Sequence, residues 1–166
     1  MEMRYTVAVT GHRPNKLFGY DLNDDRYVAI KNIMKGYLIG VGCTDAYSGM
    51  ALGIDQLFAI AVLQLKNEGY PIKLHCAIPC ANHSSAWPES SQVLYKKILS
   101  KADTVEMVSN EPYAPWLMQK RNEYMVDRAD EILAFHDGTK GGTKNCVDYA
   151  KKVGRKITII DPRRVV

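Results

Sequence analysis

Long apolar runs are missing from this chain. The longest, Leu57 to Leu65, is broken by Gln64 and falls far short of the roughly 20 residues needed to cross a bilayer. No membrane partner is expected. The chain opens into an apolar, β-rich stretch rather than a charged segment followed by an apolar core, so no export signal is expected either. Cysteines are few: Cys43, Cys76, Cys80 and Cys146 form no Cys-x-x-Cys pair and no regular framework. That excludes a disulfide scaffold and reads as reduced thiols in a cytoplasmic protein. Zinc is not expected either. His75, Cys76, Cys80 and His83 match no metal spacing, and neighbouring residues on a strand point to opposite faces. With two Trp and three Phe the chain is poor in the aromatics that single-strand binders interleave with charge, although ten Tyr are present. There is no G-x-S-x-G elbow, no Ser-His-Asp order and no Walker A motif, and no cofactor is expected.

What remains is an ordinary globular balance, 46% hydrophobic and 24% charged over 166 residues, which suits a single domain spanning 1–166. Short β-rich runs alternate with helical patterns. Strands are expected at Tyr5–Thr10, Thr44–Tyr47, Ile72–Ile78, Thr104–Val108, Glu131–His136 and Lys156–Ile160. Between them the apolar spacing predicts helices near 23–40, 54–68, 89–101, 116–129 and 144–153. Strict β-α alternation predicts an α/β fold, a Rossmann-like three-layer sandwich with a mainly parallel sheet of about six strands. Parallel strands are covered on both faces, so apolar runs such as the fifth and sixth are expected to be buried. Ligands of such sheets bind beyond the carboxyl ends of the strands, where the strand order reverses.

Three glycine-bearing loops follow strands. Thr10-Gly11-His12-Arg13-Pro14 combines a tight turn at Gly11 with His12 and an Arg13 fork suited to phosphate. Ser48-Gly49-Met50-Ala51-Leu52-Gly53-Ile54-Asp55 feeds a strongly amphipathic helix, a pattern that makes an anion site from backbone N–H groups. Asp55 either favours the helix dipole or accepts from a ribose hydroxyl. The third loop runs His136-Asp137-Gly138-Thr139-Lys140-Gly141-Gly142-Thr143-Lys144-Asn145 and is poor core material but good phosphate-cradle material. Arg121 lies on the fourth helix, where it either reaches the sheet edge or is solvated. Trp87 and Trp116 sit in loops after the third and fourth strands, as lids or as stacking faces. Charge is uneven: from Lys140 onward eight Lys/Arg face two Asp, +6, leaving −2 for the rest. That favours an anionic ligand or a solvated basic face.

Taken together, TGHRP, SGMALGID and RNEYMVDRADEILAFHDGTKGGTKNCVDYA resemble the YpsA-like branch of the SMF/DprA–LOG (SLOG) superfamily, over nearly the whole chain. The resemblance implies a Rossmann-like fold and a pocket for a nucleotide-derived small molecule, in a bacterial or phage setting. It implies ligand contacts at Gly11, His12, Arg13, Ser48, Gly49, Gly53, Asp55, Arg121, Asn122, Asp137, Gly138, Gly141, Gly142, Thr143 and Lys144, and self-association as a homo-oligomer. The enzymatic relatives, LOG phosphoribohydrolases, carry M-x-x-R-K-x-x-M. Met118, Arg121 and Met125 match it, and Asn122 stands in place of Lys. Their P-G-G-x-G-T-x-x-E ends in a catalytic Glu. Gly141-Gly142-Thr143 is similar to its core, but Cys146 falls where the Glu stands, with Asp148 one helical turn away. N-glycosidic hydrolysis passes through an oxocarbenium-like state that a carboxylate stabilises. The resemblance therefore implies a binder first and a nucleoside monophosphate hydrolase second. The DprA pattern S-G-x-A-x-G-I-D is complete here, which keeps single-stranded nucleic acid as the alternative partner.

Overall fold

The computed structural model describes residues 3–166. Its strands are β1 (Thr6–Gly11), β2 (Asp45–Ser48), β3 (Lys73–Ile78), β4 (Thr104–Met107), β5 (Glu131–Phe135) and β6 (Lys156–Ile160). The helices are α1 (Asp25–Val41), α2 (Ile54–Asn67), α3 (Glu89–Lys101), α4 (Pro115–Arg128) and α5 (Gly142–Lys152), with a 3-10 turn at Pro14–Lys16. The strands form one sheet in the order β4-β3-β2-β1-β5-β6, and every pairing is parallel. The chain walks outward from β1 to β4, then returns to β5 on the other side of β1. The order reverses between β1 and β5, so their two loops diverge at the carboxyl ends of the strands and leave a crevice.

Alternation along the strands builds the two cores. Val7 and Val9 join Leu74, Cys76 and Phe135 beneath α1, α2 and α3. Ala8, Ala77 and Ile132 point the other way, beneath Met125 and Val126 of α4 and Cys146 and Ala150 of α5. The smaller residues on the second face let α4 and α5 pack close to the sheet. Helix α2 is the most deeply set: Ile54, Leu57, Phe58 and Leu65 are fully buried. Each contributes roughly 1.5–3 kcal/mol by leaving water. The apolar run of β5 is buried throughout, but that of β6 is not, and Ile159 is 49% exposed. The double burial of parallel strands holds only for interior ones. Both β6 and the exposed β4 lie at sheet edges.

The amino ends of the strands are closed by paired acids. Buried Glu131 accepts from the hydroxyls of Tyr5 (2.6 Å) and Tyr37. Asp45 meets His75 (2.7 Å) and Arg4 (3.2 Å). His75 also contacts the Thr104 hydroxyl at 2.7 Å, while Cys76 faces the opposite core. The carboxyl ends have a different character, rich in glycine and cations.

Candidate functional site

The loops after β1 and β2 are packed back to back. Gly53 has φ +90, and a Cβ there would lie 2.6 Å from the His12 carbonyl oxygen. Only glycine combines that conformation with that approach. Ile54 donates its N–H to the same carbonyl at 3.3 Å, and its side chain fills the space in which a Gly11 side chain would stand. Ser48 donates to the Asp55 carbonyl at 2.7 Å and accepts from the Met50 N–H at 3.2 Å. Met50 is buried with φ 61, a left-handed conformation that this hydrogen bond supports.

Arg121 is not solvated. It lies on the second turn of α4, is 4% exposed, and donates to the Gly49 carbonyl and to Asn122 Oδ1 (3.1 Å). Its guanidinium occupies the space a Gly49 side chain would need. Asp55, equally buried, accepts from the Ala51 N–H at 3.3 Å. Burial pushes its carboxyl up to about 6, with Arg121 and Arg13 pulling against that rise. Burial likewise weighs on the Arg121 guanidinium, and Asp55 supports its charge.

The loop after β5 is built differently. Gly141 caps α5 with no side-chain partner, and α5 starts at Gly142, two residues earlier than its apolar spacing predicts. The first N–H groups of the helix therefore face the crevice with the positive end of the dipole behind them. Lys16 reaches across from the 3-10 turn and donates to Thr139 Oγ1 (2.8 Å) and the Lys140 carbonyl (2.9 Å). His12 joins the two diverging loops: its Nε2 lies 2.8 Å from Asp137 Oδ1 and 3.0 Å from the Asp137 amide nitrogen. Burial lowers the His12 pKa, and Asp137 opposes the shift. The Thr139 hydroxyl and N–H hold the Asp137 carboxyl well below the usual range. Asn122 spans from α4 to the Gly142 carbonyl at 3.4 Å.

These elements enclose a cavity of about 430 Å³. Of the residues singled out in the sequence, Gly11, His12, Arg13, Asp55, Arg121, Asn122, Gly141, Gly142 and Thr143 line it. Ser48, Gly49 and Gly53 lie behind the wall and shape it, and Asp137 and Gly138 stand outside it. Lys144 turns away to pair with Asp148 at 2.7 Å along α5. Sequence reasoning passed over Lys16, Asn15 and Tyr113, which also line the cavity together with Lys140 and Asn145 of the third glycine loop. Lys140 was legible as a cation inside the glycine loop. Lys16 carried no signal, because its reach depends on the 3-10 turn. Cys146 is buried beneath the cavity, its thiol pushed up to about 11 by burial, and Asp55 is the only carboxylate among the described lining residues.

His12, His136 and Asp137 offer donor atoms within 4.8 Å of one another, and His136 Nδ1 is buried without a partner. His12 and Asp137 already satisfy one another and Thr139, so the cluster reads as a loop fastening. His75, Cys76, Cys80 and His83 form no metal cluster among the described residues. Trp87 packs edge-on against His83 at 4.9 Å, whereas Trp116 opens α4 and is 57% exposed. Among the described residues no helix is long and apolar enough to cross a membrane.

Comparison with known proteins agrees with this fold. The family model of the YspA SLOG family (YpsA) matches residues 7–164. The SPbeta prophage-derived protein YoqJ of Bacillus subtilis (strain 168) is 39% identical over 116 residues, covering 63% of this chain and 68% of that protein. A UPF0398 protein of Listeria monocytogenes serotype 4a (strain HCC23) is 30% identical over 142 residues, 83% of this chain and 78% of its own length. Among solved structures, DNA processing protein A (DprA) of Streptococcus pneumoniae superposes with a TM-score of 0.66 at 16% identity, over 96% of this chain and 53% of that one. DprA of Helicobacter pylori, solved for its single-stranded DNA binding mode, gives 0.63 at 16% identity, over 93% and 64%. This chain thus spans about half to two-thirds of the DprA chains whose fold it shares.

Proposed function

Because the chain belongs to the YspA SLOG family, we propose that it binds a nucleotide-derived small molecule in the crevice between the β1 and β5 loops. The observation that carries this reading is the bare amino end of α5 set opposite Lys16 and Lys140 in one cavity. A phosphate there meets backbone N–H donors, the helix dipole and two ammonium groups. Arg13, exposed and without a side-chain partner among the described residues, adds a bidentate fork at the rim. Arg121 and Asn122 act chiefly by holding the walls, since their polar atoms are engaged with Gly49 and Gly142. A buried thiol at Cys146 stabilises no oxocarbenium ion, which favours sensing or sequestration over hydrolysis.

A thermal-shift screen with nucleoside monophosphates, NAD, ADP-ribose and cyclic nucleotides tests this. A ligand at a hundredfold excess over its Kd stabilises the native state by about 2.7 kcal/mol. The expected result is a stabilising ligand recovered intact. Release of free base and ribose phosphate would make the protein an N-glycosidic hydrolase instead.

The fold likeness to the Helicobacter pylori DprA favours a second reading, single-stranded DNA along the basic C-terminal segment. Affinity that falls steeply with salt, and no response to mononucleotides, would select it.

A further inference from the structure

A second cavity of about 520 Å³ opens beside the first and shares a wall with it, made by Arg13, Asn15, Ala51, Tyr113 and Met118. Each falls within the roughly 300–1,000 Å³ range of small-ligand sites. Their chemistry differs. The first chamber gathers Lys16, Lys140 and the start of α5. The second is lined by Tyr20, Leu52, Trp87 and His83, and Arg13 is its one formally charged residue. Burial holds His83 neutral.

The rings around the second chamber are set in place. Ala81 donates its N–H to the Glu111 carbonyl at 2.9 Å, and Tyr113 donates its N–H to Asn82 Oδ1 at 2.8 Å, which stitches the loops after β3 and β4 together. Trp87 and His83 both pack on Tyr95. Tyr20 and Tyr113 are each 59% exposed, large aromatic faces left in water at a cavity mouth. Such faces take a flat partner, by offset stacking or edge contact.

We propose that the second chamber is the base subsite of the same site. The ligand is a nucleotide whose phosphate lies in the polar chamber and whose planar heteroaromatic base stacks beside Tyr113 and Tyr20, with Arg13 in the wall between. This assignment rests on the nucleotide reading above. It makes the ring, as well as the phosphate, a determinant of affinity.

Trp87 lines the second chamber and Trp116 lines neither, so a Trp116→Phe background isolates Trp87 as a fluorescent reporter. In that background AMP and ribose 5-phosphate are titrated against the parent, Tyr113→Ala and Tyr113→Phe. Tyr113 is exposed, and its truncation leaves the core untouched. The expected result is AMP binding at least tenfold tighter than ribose 5-phosphate, with quenching of Trp87 by AMP alone. Tyr113→Ala removes most of that advantage, weakening AMP more than ribose 5-phosphate, and Tyr113→Phe keeps it. Equal affinities, no quenching and no effect of Tyr113→Ala would overturn the base subsite while leaving phosphate binding standing. Failure of both ligands to bind would overturn the nucleotide reading and this assignment with it.

Discussion

In the loops after β1 and β2 the glycines are surrounded: Gly11 abuts Ile54, Gly49 abuts Arg121, and Gly53 abuts the His12 carbonyl. In the loop after β5 a Cβ at Gly138 or Gly142 would meet nothing within 4 Å, and one at Gly141 would meet only Lys16 Nζ, at 3.5 Å. The same residue type serves two purposes at one edge of one sheet. The first set lets three backbone segments close on each other and builds the wall. In the second set Gly141 and Gly142 leave N–H groups bare in front of a cavity. A glycine-rich loop is therefore evidence of a ligand only where the absent side chains leave space unfilled.

Substitutions at the two kinds of glycine divide the two roles. Gly53→Ala combines a left-handed backbone with a backbone clash, and is expected to destabilise by about 3–5 kcal/mol. Urea unfolding with an unchanged m value checks this, and a loss below about 1 kcal/mol would dissolve the distinction.

Asp55 sharpens the same wall. Its folded carboxyl titrates near 6, above the ordinary value of 3.8. The folded state holds that proton more tightly than the unfolded one. Its contribution to stability is full below about pH 4 and is lost as pH rises through about 6. Asp55→Asn removes this dependence. Between pH 4 and pH 7 its stability relative to wild type should rise by about 2–3 kcal/mol. A constant difference across that range would place Asp55 in a wetter setting than the structure gives it.

Lys16 belongs to the open side. Lys16→Ala is expected to weaken a phosphate-bearing ligand by about 1.5–2 kcal/mol, more than tenfold, as loss of a charged hydrogen bond does. Calorimetric titration reads the affinity, while unfolding stability should move by less than about 1 kcal/mol. The smallest effect is expected at Gly142→Ala, within about 0.5 kcal/mol of wild-type stability, because the new methyl enters open space at a helix start. A large destabilisation there would mean that the β5 loop is packed like the other two.

Much of this architecture was legible beforehand. The β-α alternation and the apolar spacing of Ile54, Leu57, Phe58 and Leu65 give the layers and the buried side of α2 directly. Lateral strand order was not legible. Nothing along the chain says that β5 rather than β4 lies beside β1, and that reversal positions the crevice. Arg121 was ambiguous because a charge on an amphipathic helix ordinarily meets water. The Gly49 carbonyl brought to it by the β2 loop, with Asn122 Oδ1 beside it, gives it buried partners. Lys16 and Lys144 divided along similar lines. A 3-10 turn carries the first into the cavity, while an i,i+4 acid on α5 draws the second away.

The most direct test of the account follows backbone amide chemical shifts as AMP is titrated into the labelled protein. The account predicts the largest movements at Gly141, Gly142 and Thr143, with Gly49 and Gly53 nearly still. Largest movements at Gly49 and Gly53, or none along the start of α5, would contradict it.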